Sequence, residues 1–170
     1  MRTAAVRGVV LLVLAVTASG CGFQLRSWDI ASSIESAYLT ASPRNAFEAP
    51  LRQALRQAGI AEAATPGEAT VVVTLLEDRR ERRSVSVSSQ ARAAEYEVSV
   101  GVRFQVEDAQ GRDLIPDQWL ERQRVFRIDR DNIVGSSEEQ ALLEREMEAD
   151  LVQQILRSLN AAAADPAGAA

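Results

Sequence analysis

The stretch from Ala94 to Val106 sets the first limit on the fold. Ala94, Tyr96, Val98, Val100, Val102, Phe104 and Val106 alternate with Glu95, Glu97, Ser99, Gly101, Arg103 and Gln105. Side chains of a strand point to opposite faces with a period of two, so one face of this segment is apolar and the other is wet. That pattern belongs to an antiparallel sheet covered on one side only. Asp108-Ala109-Gln110-Gly111 closes the strand with a hairpin turn, and Trp119 to Asp129 supplies the next strand, with Val125, Phe126 and Ile128 as its apolar positions.

Upstream, Ala69 to Val87 begins as the apolar run Val71-Val72-Val73-Thr74-Leu75-Leu76. It turns charged over Glu77-Asp78-Arg79-Arg80-Glu81-Arg82-Arg83 and ends in Ser84-Val85-Ser86-Val87-Ser88-Ser89. β-Branched enrichment predicts one long strand whose far half leaves the core. Ile34 to Thr40 is a shorter strand, followed by the turn Ser42-Pro43-Arg44-Asn45. From Phe47 to Ala58, Leu51, Ala54, Leu55 and Ala58 recur at helical spacing, with Pro50 in the first turn and Gly59 at the end. Ala61 to Glu68 reads as a small-residue loop. Ser136-Ser137-Glu138-Glu139 has the form of a capping box, opening a helix in which Leu143, Met147, Leu151 and Ile155 step by four, joined by Val152, Leu156 and Leu159. The order β-α-β-β-β-α predicts an α+β fold: a two-layer α/β sandwich, a four-stranded sheet with two helices on one face. It forms a single domain over 34–160, and the Ala/Pro/Gly residues 161–170 form a disordered tail.

The first twenty residues read as an export signal. Arg2 and Arg7 precede the apolar run Val9 to Val16, and Thr17-Ala18-Ser19-Gly20 supplies small residues for cleavage. A retained membrane anchor is the competing reading, but Thr17, Ser19, Gly20, Gly22 and Gln24 interrupt the second half of a span that needs roughly 20 predominantly apolar residues. The chain's one cysteine, Cys21, follows directly. Ser19-Gly20-Cys21 matches the bacterial lipobox, although Ala18 stands where leucine is favoured. An ordinary secretory signal leaving a stray thiol is the alternative. A lone thiol forms no internal disulfide in an oxidising compartment, whereas acylation by palmitate-type chains gives it a use. Cys21 is therefore the expected lipidation site, 1–20 a signal peptide and 21–33 a lipidated tether pinned by Phe23, Leu25 and Trp28. Several acyl chains at about 0.8 kcal/mol per buried CH₂ hold such a chain to a membrane permanently.

Cleavage removes two arginines, so the formal net charge of −5 becomes −7. An acidic exported domain argues against a nucleic-acid partner. Catalysis finds little support, because the chain has no histidine and no lysine and its only cysteine is assigned to lipid. A metal would have to be held by carboxylates alone, so neither metal nor cofactor is expected. The cluster Glu138, Glu139, Glu144, Glu146, Glu148 and Asp150 reads as the solvated face of an amphipathic helix. Every cation is an arginine, a planar fork suited to carboxylate or phosphate. Arg79-Arg80-Glu81-Arg82-Arg83 is either a solvated, edge-protecting strand end or a clamp for the anionic groups of a glycolipid, with Arg92 and Arg130 beside it.

Cys21-Gly22-Phe23-Gln24-Leu25-Arg26, Ala94-Glu95-Tyr96 at the head of the alternating strand, Val125-Phe126-Arg127 before a loop, and Glu139 through Glu146-Met147 before a leucine-rich helix occur in an order and spacing that resembles the lipopolysaccharide-assembly lipoprotein family, LptE. The resemblance covers nearly all of residues 21–160. It implies a two-layer α/β domain that plugs the lumen of the outer-membrane β-barrel LptD, assists its assembly and contacts lipopolysaccharide. It also implies an outer-membrane location, lipid-anchored on the periplasmic or lumen-facing side; Gly22 after the cysteine is compatible with this. Where the family carries a basic residue near the hairpin tip and another near the start of the last helix, this chain has Ser89 and Ser136, so Arg92 or Arg130 would take their place. The alternative function is a periplasm-facing lipoprotein that carries or senses a soluble or lipid ligand, which needs an enclosed apolar cavity.

Overall fold

The computed structural model describes residues 34–87, 93–128 and 133–164. Strand β1 (Ser36–Ala41) buries Ala37 and Leu39. The chain then turns over Ser42–Asn45, where Arg44 takes a φ of 64° and Asn45 donates its backbone N–H to the Ser42 carbonyl at 3.1 Å. The side-chain oxygen of the buried Asn45 accepts the Phe47 N–H at 3.0 Å and starts helix α1 (Glu48–Gln57), which buries Leu51, Ala54 and Leu55. Gly59, at φ 81°, ends it: Gly59 N–H bonds the Arg56 carbonyl and Ile60 N–H the Leu55 carbonyl, both at 3.1 Å. This paired closure sets Ile60 against Leu55 in the core.

The sheet has five strands rather than four. The extra one is β2 (Ala61–Glu62), inside the stretch that the sequence gives to a loop. A helical crossover lets the next strand return parallel, and β2 lies parallel to β1, with Ala61 N–H on the Glu35 carbonyl at 3.1 Å and Ala63 N–H on the Ala37 carbonyl at 3.0 Å. Both β2 residues are exposed and too few to show a period. A 3₁₀ turn at Pro66–Glu68 leads to β3 (Val71–Val87), β4 (Ala93–Asp108) and β5 (Asp113–Arg127). The order is β2-β1-β3-β4-β5. β1 runs parallel to β2 and β3 while the β3-β4-β5 meander is antiparallel, so the sheet is mixed and not purely antiparallel.

β5 starts well before Trp119 and includes Pro116, which lacks a backbone N–H and is tolerated because this is an outer strand. Gly111, at φ 77°, completes the β4–β5 turn by donating to the Asp108 carbonyl at 3.0 Å. Helix α2 (Ile133–Ala164) begins ahead of the expected capping box: Ser136 is buried within it, and the Ser137 hydroxyl donates back to the Val134 carbonyl at 2.8 Å. Its other end runs through Ala161–Ala164, residues assigned from sequence to the tail.

One core joins the layers. Phe104 and Val106 of β4 lie opposite Leu75 and Val73 of β3, and with Val98, Val100 and Val102 further along β4 they share one core with Val71 and with Ala37 and Leu39 of β1. Leu51 and Leu55 of α1 and Met147, Leu151 and Ile155 of α2 close over the same face, so both helices lie on one side of the sheet as expected. Cys21 and the rest of 21–33, Ser88–Gln90, Arg92, Arg130 and residues 165–170 lie outside the described residues.

Candidate functional site

β1 pairs with β3 only along Val71–Leu75, so from Glu77 onward a three-stranded ribbon of β3, β4 and β5 projects past it, with β3 as its edge. The arginine run lies on that edge. A β-bulge between Leu75 and Glu77 inserts one residue and reverses which positions face the helices. Before it, Val71, Val73 and Leu75 face inward. After it, Asp78, Arg80 and Arg82 lie opposite Val102, Val100 and Val98 on the helix side, while Glu77, Arg79, Glu81 and Arg83 turn to the open face.

The four described arginines therefore do not converge. Arg80 pairs with Glu148 of α2. Arg82 donates to the Gln140 amide oxygen at 3.1 Å and lies 5.2 Å from the centre of the Tyr96 ring. On the open face Arg79 bonds Glu77 at 3.0 Å and approaches Glu81 at 3.7 Å, and Arg83 bonds Glu97 at 2.6 Å. Among the described residues, Arg82 is the one of the four with no carboxylate within ion-pair reach. Arg92 and Arg130, the other two candidates, fall outside the described residues.

Sequence reasoning gave no role to the centre of the open face. A Cβ on Gly101 would lie 2.3 Å from Cζ2 of Trp119, so the indole lies directly over the glycine backbone. Arg79 sits 5.5 Å from the indole ring centre. Beside it Arg103 grips Asp117 with both forks, at 2.8 and 2.5 Å, and further along Arg127 bonds Glu95 at 3.0 Å. The signal was present: a glycine on the wet face of an alternating strand leaves a gap that a neighbouring aromatic can cover.

The arginines of this face are matched in place. Arg103 hydrogen-bonded to Asp117 holds that carboxyl below its usual range, and Arg127 does the same for Glu95. At the turn, the backbone N–H of Arg112 lowers Asp108 in the same way. Glu148 moves the other way: burial against the sheet raises it, Arg80 opposes the shift, and nearby Asp78 adds to it.

Among the described residues no cluster of histidine, cysteine or carboxylate side chains is placed to hold a metal ion, and no helix is long and apolar enough to cross a membrane. A recess between α1 and β1, lined by Leu39, Leu55 and Ile60, has about 10 Å³ of free volume, room for one water at most. An open hollow of about 480 Å³ at the β1–β2 edge is walled by Tyr38, Arg52 and Glu62, with Arg52 paired to both Glu48 and Glu62.

Solved structures share this architecture. Lipoprotein B from Nitrosomonas europaea matches with a TM-score of 0.71 at 24% identity, over 82% of this chain and 91% of that one. The rare lipoprotein B from Shewanella oneidensis matches at 0.66 and 24%, over 74% and 94%. A minor lipoprotein from Acinetobacter baumannii matches at 0.60 and 23%, over 75% and 91%. No match was found among curated proteins. The LptE family model, described as lipopolysaccharide-assembly, matches residues 32–159, so the span holding the sheet, both helices and the arginine run is that of the family, and the chain belongs to the LptE lipopolysaccharide-assembly family.

Proposed function

We propose that this chain is an outer-membrane lipoprotein, anchored through acylated Cys21, that serves as plug and assembly partner of an LptD-like β-barrel in lipopolysaccharide transport and performs no catalysis. Family membership supplies the setting. The observation that carries the reading is the open face of the sheet, where Arg79, Arg83, Arg103 and Arg127 are each matched with a carboxylate. Such a face stays in water without aggregating and offers hydrogen-bonding groups to a barrel lumen, which is itself polar. The carrier alternative needs an enclosed apolar chamber. Among the described residues, the recess beneath α1 is too small for one, and the hollow at β2 is open and charged.

Direct contact with lipopolysaccharide belongs to the same proposal, through Arg82 with Arg92 and Arg130, supported by Arg79, Arg80 and Arg83. Guanidinium forks bind phosphate bidentately. The test is affinity purification of the tagged full chain from detergent-solubilised outer membrane, followed by mass spectrometry. A barrel recovered at one-to-one stoichiometry is expected; recovery without any barrel overturns the plug and favours the carrier. Shortening Ser84–Gln90, whose first four residues end β3, is expected to weaken the complex while circular dichroism still shows the rest of the sheet and both helices folded.

A further inference from the structure

β5 is an outer strand along its whole length. β4 pairs its inner side from Asp113 to Arg127, and no described strand covers the other. An open strand edge presents a row of N–H and C=O groups that a further strand can take up. Pro116 guards only its beginning. Its charges are also divided by position: Asp113, Asp117 and Glu121 fill the first half, and Arg122, Arg124 and Arg127 the second.

We propose that the domain, when free of any barrel, self-associates through β5, two copies pairing their edges antiparallel about a two-fold axis at Arg122. The proposal does not depend on the barrel reading. Its support is the register. With the axis at Arg122, Asp117 faces Arg127 of the second copy, Trp119 faces Val125 and Glu121 faces Gln123, all on the open face, and each pair occurs twice by symmetry. Trp119 and Val125 are 37% and 56% exposed, and they are the two exposed large hydrophobic side chains of this strand. Arg127 is 78% exposed at its side chain and can reach a second carboxylate. Neighbouring registers fit worse. An axis at Glu121 sets that residue against itself and Trp119 against Gln123, and one at Gln123 sets Arg122 against Arg124. Like charges directly opposite destabilise a strand pair. The chosen axis brings Arg122 to its own copy, but each Arg122 is drawn onto its own helix by the Gln154 amide oxygen at 2.5 Å.

The test uses the full chain carrying Cys21→Ser, so that an introduced thiol is the only one. Under mild oxidation Arg122→Cys is expected to form a disulfide-linked dimer, because the residue meets its own copy at the axis. Gln118→Cys is expected to stay monomeric, since its copy would lie several residues away at about 3.3 Å per residue. Sedimentation velocity of the Cys21→Ser chain over a concentration series should show a reversible dimer, and Val125→Asp should lower the association constant about tenfold, the lost pair counting twice. Equal cross-linking at both positions, no cross-linking at either, or unchanged association of a folded Val125→Asp overturns the proposal. Should Val125→Asp lose its sheet signal in circular dichroism, the two cysteine variants decide.

Discussion

Gly101 and Trp119 act as one unit. The glycine leaves no side chain between the indole and the sheet, and the indole restores the apolar cover that the glycine lacks. A branched side chain here must displace the ring, because its Cβ would overlap Trp119. Gly101→Val is therefore expected to destabilise the domain by about 1–3 kcal/mol, the usual range for overpacking, measured by urea denaturation. Glu148 gives a second prediction at this scale. Burial raises its pKa, so the folded chain holds the proton more tightly than the unfolded chain does. In the window above the ordinary glutamate value, its contribution to stability falls as pH rises. Asp117 and Glu95 are lowered by their arginines and contribute the opposite slope, with stability lost as pH falls through their depressed values. Glu148→Gln removes the first effect and keeps the second. Its melting temperature relative to the parent should be least favourable at acidic pH and improve toward neutral, as followed by circular dichroism from acid to neutral pH. A constant difference across that range contradicts the assignment.

At the scale of the element, the run from Arg79 to Arg83 shows how strand geometry divides what sequence places together. A period of two sends neighbours to opposite faces, and the bulge at Leu75–Glu77 decides which neighbour goes where. Apolar Leu75-Leu76 gives no hint of that extra residue, so the division of the arginines was not legible. The alternation of β4 and the four-residue step of α2 were legible, because each depends on a buried face that its residues must share. β2 left no mark because two exposed residues carry no pattern, and the start of α2 was misread because Ser137 bonds within the helix rather than capping it. Legibility followed burial. Replacing Arg79, Arg80, Arg82, Arg83 and Arg92 with glutamine is expected to weaken binding of purified protein to lipopolysaccharide. The effect on stability should be small for Arg79, Arg82 and Arg83, since exposed pairs contribute less than about 1 kcal/mol each. Unchanged binding by a folded variant assigns the run to edge protection alone.

For the whole molecule, the division of labour runs between the two faces of the sheet. The apolar core that begins at β1 and α1 continues under α2 along the helix side of the far ribbon, through Val102, Val100 and Val98, while the open face of that ribbon carries arginines matched to carboxylates. Anchoring is the remaining expectation at this scale. Cys21→Ser should yield an unacylated soluble protein or an uncleaved precursor, and labelling of cells with a radioactive fatty acid checks it: a parent chain that takes up no label ends the lipoprotein reading.

The parallel seating of β1 beside β3 has a mechanical consequence. The chain reaches β1 from the side of Ile34, and the ribbon leaves β3 at the opposite end. If the far ribbon is gripped while the amino-terminal side is held at a membrane, tension runs along the strands. The load then falls in shear on every rung from Ala37–Val71 to Ala41–Leu75 together, instead of peeling them apart one after another. A domain strung this way behaves as a strap rather than a zipper, resisting a pull between its two ends while remaining easy to open from the side.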